Sequence, residues 1–154
     1  IHYIIHSLFQ PASERIGYHS VLPEKYVEYG GFVGVNNGAT FRDCAATGSL
    51  TVKNNNYFGG FVGCADTGKY YDCYSAVDIT LRKGGRTGGF AGALGDDNNL
   101  FTRCYVCGTL ECGPGTYDIG GFIGDAQGQD AASMMTGCRV VSEMDPTTVM
   151  TKTE

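Results

Sequence analysis

One short sequence recurs four times in this chain, and its spacing constrains the fold more than any other feature. The pattern is Gly-Gly-Phe-x-Gly, with Val, Ala or Ile at x, and its copies are Gly30–Gly34, Gly59–Gly63, Gly88–Gly92 and Gly120–Gly124. Successive copies start 29, 29 and 32 residues apart (59 − 30, 88 − 59 and 120 − 88). Periods of this size are typical of solenoids, in which each copy is one structural unit that stacks on its neighbours.

A cysteine follows each copy and begins a run with a two-residue period. These cysteines are Cys44, Cys73, Cys104 and Cys138. Alternation of apolar and polar residues predicts a strand whose apolar side faces inward. The sixth residue after each cysteine is a medium-large aliphatic, namely Leu50, Ile79, Leu110 and Met144.

The repeats therefore predict an all-β fold, a right-handed-type β-solenoid (β-helix) of four to five coils with 29–32 residues per coil. We expect the Gly-Gly-Phe block to form the second strand of each coil, with its stacked Phe rings and glycines making one narrow corner of the coil. The polar stretch after it is expected to form a loop. Equivalent residues of successive coils would stack as core ladders. One ladder holds Phe32, Phe61, Phe90 and Phe122, a second the four cysteines, and a third the aliphatic residues Leu50, Ile79, Leu110 and Met144.

The two ends of the chain differ from the repeats. We predict a four-repeat solenoid over residues 30–146, preceded by an N-terminal cap or arm at 1–29. Within that arm, Arg15–Pro23 is interpreted as a degenerate copy of the cysteine-led strand, because Arg15 precedes Gly30 by the same 15 positions that separate Cys44 from Gly59. Residues 147–154 are expected to form a C-terminal strand or a flexible tail.

Composition excludes some classes of partner. The formal net charge is −5 with only 11 Lys and Arg residues, and no basic stripe is present, so we expect no nucleic-acid partner. We also expect no membrane span, because no apolar run is long enough to cross a bilayer.

The seven cysteines suggest buried thiols more strongly than a metal site. Stacked cysteines in adjacent strands have parallel side chains about 4.8 Å apart, which suits free thiols better than disulfides. No Cys-x-x-Cys pair is matched by a second Cys or His pair, so no metal site is predicted. Cys107 falls on the outward face and Cys64 in a turn, and both are candidates for an intermolecular disulfide.

Calcium is the one cofactor considered for this chain. The loop Asp96-Asp97-Asn98-Asn99, together with Asp125 and Asp130, could supply oxygen ligands. It lacks both EF-hand spacing and the glycine-aspartate repeat of calcium-binding β-rolls. We therefore predict no cofactor and interpret these residues as solvated turns, with Ca²⁺ as the alternative.

Four residues on the outward face form a candidate binding strip. They are Tyr74, Tyr105, Asp78 and Glu111. An exposed aromatic ladder could bind a sugar ring or a partner protein, although tyrosines at such positions also stabilise neighbouring strands.

These repeats resemble the GLUG motif, a short repeat of bacterial secreted and cell-surface proteins, some of which are similar to adhesins. The resemblance covers Gly30 to about Met144 and rests on Gly-Gly-Phe-Val-Gly, on Asp72-Cys73-Tyr74 and on the run Ala46–Leu50. It implies a secreted or cell-surface location. The motif carries no catalytic residues, so the resemblance assigns none here.

The sequence contains no recognisable catalytic constellation, so we expect a protein that is not an enzyme. Our first hypothesis is a structural or adhesive extracellular module that self-assembles end to end into a fibre. Its partners would be further copies of the chain, another surface protein or a glycan. The alternative is a carbohydrate-binding module that uses the outer Tyr/Thr/Asp strip, and a polysaccharide-cleaving enzyme is a third hypothesis.

Overall fold

The computed structural model describes residues 16–22, 28–53, 57–96 and 98–141, and of residues 16–22 it describes the backbone alone. Asp97, Met144 and the predicted tail at 147–154 lie outside the described residues, as do residues 1–15 and 23–27 of the predicted cap.

The described residues form short strands and one 3-10 helix, with no α-helix among them. The strands of the first half are β1 (Ile16–Leu22), β2 (Glu28–Gly30), β3 (Val33–Arg42), β4 (Ala45–Val52), β5 (Tyr57–Gly59), β6 (Val62–Tyr71), β7 (Tyr74–Leu81) and β8 (Gly84–Gly88). Those of the second half are β9 (Ala91–Leu94), β10 (Leu100–Thr102), β11 (Tyr105–Val106), β12 (Leu110–Cys112), β13 (Thr116–Gly120), β14 (Ile123–Asp125), β15 (Met135–Thr136) and β16 (Arg139–Val140). The 3-10 helix spans Ala131–Met134.

The strands pair in parallel into three sheets, which form the sides of a β-solenoid. Sheet A contains β1, β4, β7, β11, β12 and β16, sheet B contains β2, β5, β8 and β13, and sheet C contains β3, β6, β9, β10, β14 and β15. Each coil therefore passes through sheets B, C and A in turn. The all-β solenoid architecture predicted from the repeats is confirmed.

The described solenoid makes about three turns, fewer than the four to five coils predicted from the repeats.

The Gly-Gly-Phe block forms the predicted narrow corner, but it is not a strand of its own. Gly59 ends β5, Gly60 and Phe61 make the bend, and β6 begins at Val62. A Cβ atom added to Gly59 would lie 2.6 Å from the carbonyl oxygen of Phe90 in the next coil. The same Cβ atom would overlap the carbonyl oxygen of Val62 across the bend. Glycine is therefore required both by the bend itself and by the close approach of the next coil.

The loops predicted directly after the block are also wrong for the first two copies. Asn36–Gly38 lies inside β3 and Asp66–Gly68 inside β6. The pairing of β3 with β6 shifts register on either side of Asn37, so the turn-forming residues produce a bulged strand that stays bonded to its neighbour. The third copy has two more residues between Phe and Cys than the first two copies (14 − 12), and the chain leaves sheet C there, between β9 and β10. The fourth copy has four more (16 − 12), and the chain leaves sheet C between β14 and β15.

The predicted degenerate copy at Arg15–Pro23 corresponds to β1 in sheet A. Its strand pairs with β4, but Ile16 lies opposite Ala46. The prediction, with Arg15 equivalent to Cys44, would place Ile16 opposite Ala45. The observed register differs from the predicted one by one residue. The reason is that the number of residues from β1 to the first Gly-Gly-Phe block differs from the number between β4 and the second block.

The core consists of columns of equivalent side chains. Phe32, Phe61, Phe90 and Phe122 stack with centroid separations of 4.7, 4.7 and 4.8 Å and interplanar angles of 3–6°. Strand register also aligns the buried aliphatic residues Leu50, Ile79 and Leu110. Neighbouring coils are thus joined by both backbone hydrogen bonds and side-chain stacking.

Candidate functional site

The outer face of sheet A is the candidate site, because alternate residues of its strands point away from the core. Tyr74 and Tyr105 lie opposite each other in β7 and β11, and their rings stack at 4.9 Å with an interplanar angle of 8°. Tyr105 is 38% exposed, whereas Tyr74 is half-buried. The two rings form a short aromatic platform on the outside of the solenoid.

The two carboxylates of the predicted strip have different surroundings. Asp78 is exposed, and its Oδ1 accepts hydrogen bonds from the backbone N–H of Thr109 at 2.9 Å and from the Thr109 hydroxyl at 2.8 Å. Glu111 is exposed and lies opposite Thr80. Asp78 therefore joins two coils at the break between β11 and β12, in addition to placing a negative charge on this face.

The two cysteines predicted to form an intermolecular disulfide differ in accessibility. Cys107 is exposed, and its backbone N–H donates to the Ser75 carbonyl at 2.9 Å, which keeps it in line with sheet A. Cys64 is half-buried in β6, and burial raises the pKa of its thiol to about 11. Neither is part of a disulfide in this structure, and Cys107 is the better placed to react with another chain.

The four stacked cysteines form a column of free thiols beside sheet A. Cys44, Cys73 and Cys104 are buried, and Cys138 at the end of the column is half-buried. The Cys73 thiol donates to the Tyr71 carbonyl at 3.2 Å and the Cys104 thiol to the Tyr70 carbonyl at 3.5 Å.

Hydrogen bonds along the column set the acidity of these thiols. The bond to the next thiol, together with burial, raises the pKa values of Cys73 and Cys104 to about 12 and raises that of Cys44 further. The contact with Cys104 lowers the pKa of the Cys138 thiol to about 7, and the Cys138 thiol donates to the Phe101 carbonyl at 3.4 Å. The buried members are therefore poor nucleophiles and behave as packing residues.

Sequence reasoning missed a second aromatic column, which consists of Phe41, Tyr70 and Phe101. Tyr70 and Phe101 stack at 4.8 Å, and all three rings meet the phenylalanine ladder edge to face. The Tyr70 hydroxyl accepts a hydrogen bond from Asn36 Nδ2 at 2.9 Å, and burial raises the pKa of Tyr70. The available signal was an aromatic residue three positions before each of the first three stacked cysteines.

A second missed feature is the left-handed residue that precedes each stacked cysteine. The values of φ are 52° at Asp43, 54° at Asp72, 52° at Arg103 and 65° at Gly137. Each marks the corner between sheets C and A. Asp72 also accepts two hydrogen bonds from the Arg103 guanidinium, both at 2.6 Å, and this contact lowers the pKa of Asp72.

The acidic residues considered for calcium are each bonded locally. Asp96 Oδ1 accepts from the backbone of Asn98 at 2.9 Å, and Asp130 caps the 3-10 helix. Asp125 pairs with Arg86 at 3.0 Å and accepts from the backbone of Gln127 at 2.8 Å. Across residues 28–53, 57–96 and 98–141, no three His, Cys, Asp or Glu side chains are grouped so that they could hold a metal ion.

A cavity of about 230 Å³ lies at the C-terminal end of the described solenoid. Its lining includes Phe122, Met135, Cys138, Arg139 and Val140. This volume is below the range of about 300–1,000 Å³ typical of small-molecule sites. The broad outer face of sheet A therefore remains the stronger candidate.

Within the part of the chain that the structure describes, no helix is long and apolar enough to cross a membrane. Comparison with family models, curated proteins and solved structures found no significant match. The resemblance to the GLUG motif therefore depends on the repeat residues themselves.

Proposed function

We propose that this chain is a non-enzymatic structural or adhesive module that works outside the cell and assembles end to end. A right-handed winding and four to five coils, counting the end segments, are part of this proposal. The observation that supports it most is the continuity of the core, in which the phenylalanine column runs through all four copies of the repeat.

A stack of this kind suits a spacer or a support. Backbone N–H groups donate from one coil to the next along the described solenoid, for example from Phe32 to Phe61 at 2.9 Å and from Phe90 to Phe122 at 3.0 Å. Each coil contacts only its neighbours, so length can grow without a new fold. The outer sheet faces then remain available to other molecules.

The ends of the stack supply the edges for assembly. At the C-terminal end, Arg139 and Val141 donate their backbone N–H groups inward, to Cys104 and Val106. In a parallel ladder the N–H of Val140 then faces the opposite edge, where another strand could pair.

Assembly is tested by light scattering at increasing protein concentration, followed by negative-stain electron microscopy. We expect filaments of constant width, and Val140→Pro should suppress them because proline cannot donate at this edge. Val140→Ala is the matched control, since it keeps the donor. A monodisperse monomer at every concentration would contradict end-to-end assembly.

A second function, carbohydrate binding, is favoured by the parallel rings of Tyr74 and Tyr105 on the outside of sheet A. A glycan array tests it. Binding should be lost when both tyrosines are changed to alanine, because a sugar ring would stack on the aromatic platform. Tyr117→Ala is the control, because Tyr117 is 51% exposed but lies in sheet B. No binding to any glycan on the array, or an equal loss of binding in the Tyr117→Ala control, would contradict carbohydrate binding.

A further inference from the structure

We propose that Asn37 is a self-modification site, at which the chain converts its own asparagine into isoaspartate and aspartate without an enzyme. Asn37 and Gly38 form the single Asn-Gly pair of the sequence. Both residues are exposed and lie where β3 is bulged. The reaction depends on neither the assembly nor the carbohydrate binding proposed above.

The reaction is an intramolecular displacement followed by hydrolysis. The backbone nitrogen of Gly38 attacks Cγ of Asn37, the Cγ–Nδ2 bond breaks, and the amide nitrogen leaves with the Gly38 proton as ammonia. The product is a five-membered cyclic imide. One water molecule then opens the imide. Cleavage between the nitrogen and Cγ leaves aspartate, and cleavage between the nitrogen and the backbone carbonyl carbon leaves isoaspartate.

The bulge removes the peptide between Asn37 and Gly38 from the regular ladder. The pairing of β3 with β6 passes from Asn37 opposite Thr67 to Thr40 opposite Lys69. Over this stretch β3 therefore has one residue more than β6 (40 − 37 against 69 − 67). An extra residue of this kind is left unpaired, and the ladder is disrupted locally. The Gly38 nitrogen thus has more freedom to turn towards the Asn37 side chain than it would have in a regular strand.

Gly38 also leaves space for the imide ring. Its φ is 91°, and no atom lies within 4 Å of a Cβ added there. Because glycine has no side chain, nothing on this residue crowds its nitrogen as it approaches Cγ. Residues 37–40 are all exposed, so the water that opens the imide has access to it.

Asn36 is an internal comparison, because it precedes Asn37 directly but is buried and held. It is 2% exposed. Its Nδ2 donates to the Ala39 carbonyl at 3.1 Å and to the Tyr70 hydroxyl at 2.9 Å, and its Oδ1 accepts from the backbone N–H of Ala39 at 2.9 Å. Both ends of its amide are therefore occupied, and the residue after it carries a side chain. We expect Asn36 to stay unmodified.

The asparagines between β9 and β10 are held as well. Asn99 is 4% exposed, and its Nδ2 donates to the carbonyls of Ala65 and Asp96, both at 2.8 Å. Asn98 is exposed, but its Nδ2 donates to Asp96 Oδ1 and the residue after it carries a side chain. Among the asparagines of residues 28–53, 57–96 and 98–141, Asn37 is therefore the one placed to react.

Isoaspartate at position 37 would change the strand more than aspartate. In isoaspartate the chain runs through Cγ, which adds one carbon to the backbone between Asn36 and Ala39. The two hydrogen bonds between Asn36 and Ala39 span this segment, and the same amide group holds the Tyr70 hydroxyl in the core. We expect isoaspartate to weaken these bonds and to destabilise the fold, whereas aspartate adds only an exposed charge.

The experiment is storage of the full chain in neutral buffer, followed by peptide mapping with mass spectrometry. We expect the peptide that contains residue 37 to gain the mass difference between Asp and Asn and to separate into two isomers, one of them a substrate of isoaspartyl methyltransferase. Asn37→Gln should give neither product, because glutamine would need a six-membered ring. Gly38→Ala should slow the conversion about tenfold, which corresponds to about 1.4 kcal/mol in the activation barrier.

Two controls separate the fold from the sequence and the charge from the lengthened backbone. A synthetic peptide of residues 33–42 shows that the buffer supports the reaction, and Asn37→Asp carries the charge without the additional carbon. Urea denaturation of the stored chain should show that its isoaspartyl form unfolds at a lower midpoint than Asn37→Asp. Asn37 left intact in the folded chain while the peptide is converted would overturn the proposal, as would conversion of Asn36 or Asn98 at the same rate as Asn37.

Discussion

At the scale of single residues, steric limits explain the repeated motif. The glycines at Gly59 and Gly88 each face a carbonyl oxygen of the next coil, at 2.6 and 2.7 Å from a hypothetical Cβ. Backbone atoms cannot move aside without breaking the hydrogen bonds between coils. The motif thus reflects a requirement for close backbone approach.

We expect Gly59→Ala to lower the free energy of unfolding by at least about 3 kcal/mol, because the new methyl group would overlap backbone atoms of two coils. Urea denaturation measures this. Gly38→Ala is the control: its φ is 91°, but no atom lies within 4 Å of the added Cβ. That change should cost only about 1 kcal/mol of backbone strain. Equal losses in the free energy of unfolding at both sites would show that the close approach of backbone atoms is not what makes glycine necessary at Gly59.

Ser75 is a polar residue in the core whose hydroxyl has no hydrogen-bond partner. It is fully buried and its hydroxyl makes no hydrogen bond, while its equivalents in the neighbouring coils are Ala46 and Val106. We expect Ser75→Ala to raise the free energy of unfolding by about 1 kcal/mol, because no buried hydroxyl is then left unsatisfied. A clear loss of stability in urea denaturation would mean that the hydroxyl is bonded after all.

At the scale of elements, the columns join the three sheets. The Phe61 ring contacts the rings of Phe32 and Phe90 above and below it and those of Phe41 and Tyr70 at its edge, with centroids 4.7–6.0 Å apart. Phe32, at the end of the column, contacts the rings of Phe41 and Phe61. A central position therefore holds more of the structure together than a terminal one.

This difference predicts unequal effects of the same substitution. Phe61→Ala should cost about 4 kcal/mol, in the upper part of the range for buried aromatic residues, and Phe32→Ala clearly less, because fewer ring contacts are lost. Urea denaturation of both variants measures the difference. Equal losses in the free energy of unfolding would indicate that a terminal ring of the column stabilises the fold as much as a central one.

The elements were only partly predictable from sequence. The cysteine-led strands follow from local alternation, and β4 and β7 begin one residue after Cys44 and Cys73. The bulged strands β3 and β6 could not be predicted, because Asn36–Gly38 and Asp66–Gly68 have turn-forming composition. Hydrogen bonds to the neighbouring coil keep those residues in the sheet.

At the scale of the whole molecule, buried thiols make stability depend on pH. Cys73 and Cys104 have pKa values of about 12 and Cys64 of about 11, all raised from 9.0. A group whose folded pKa is raised contributes full stability below its unfolded pKa and loses it as pH rises towards the folded pKa. The folded pKa of Cys138 is lowered, so its contribution to stability changes with pH in the opposite direction. It is one thiol against five, because the pKa values of Cys44 and Cys107 are raised as well.

We therefore expect the free energy of unfolding to fall above about pH 9, by up to about 1.4 kcal/mol per pH unit for each buried thiol, because the unfolded state loses its protons first. Urea denaturation between about pH 8 and pH 11 measures the slope. Cys73→Ala should give a shallower slope than wild type. If the free energy of unfolding falls with pH equally steeply in wild type and in Cys73→Ala, the raised pKa of Cys73 is contradicted.

The candidate site was also only partly accessible to sequence reasoning. Period-two alternation identifies Tyr74, Tyr105 and Cys107 as outward residues, and the structure places them on the same face. The bond from Thr109 to Asp78 and the position of Arg139 beside Tyr105 depend on which strands are neighbours. The equal offsets of these residues from their cysteines align the strands, and the structure adds the hydrogen bonds from Thr109 to Asp78.

The sequence by itself determined that equivalent residues stack, because a constant repeat places the same side chain at the same point of every coil. The phenylalanine and aliphatic columns follow from that alone. Only the tertiary structure decided that each coil has three sides and where its strands begin and end. The reason is that these bounds are set by hydrogen bonds to the neighbouring coil, which keep Asn36–Gly38 and Asp66–Gly68 in strands against their turn-forming composition, and those bonds exist only after the coils have stacked.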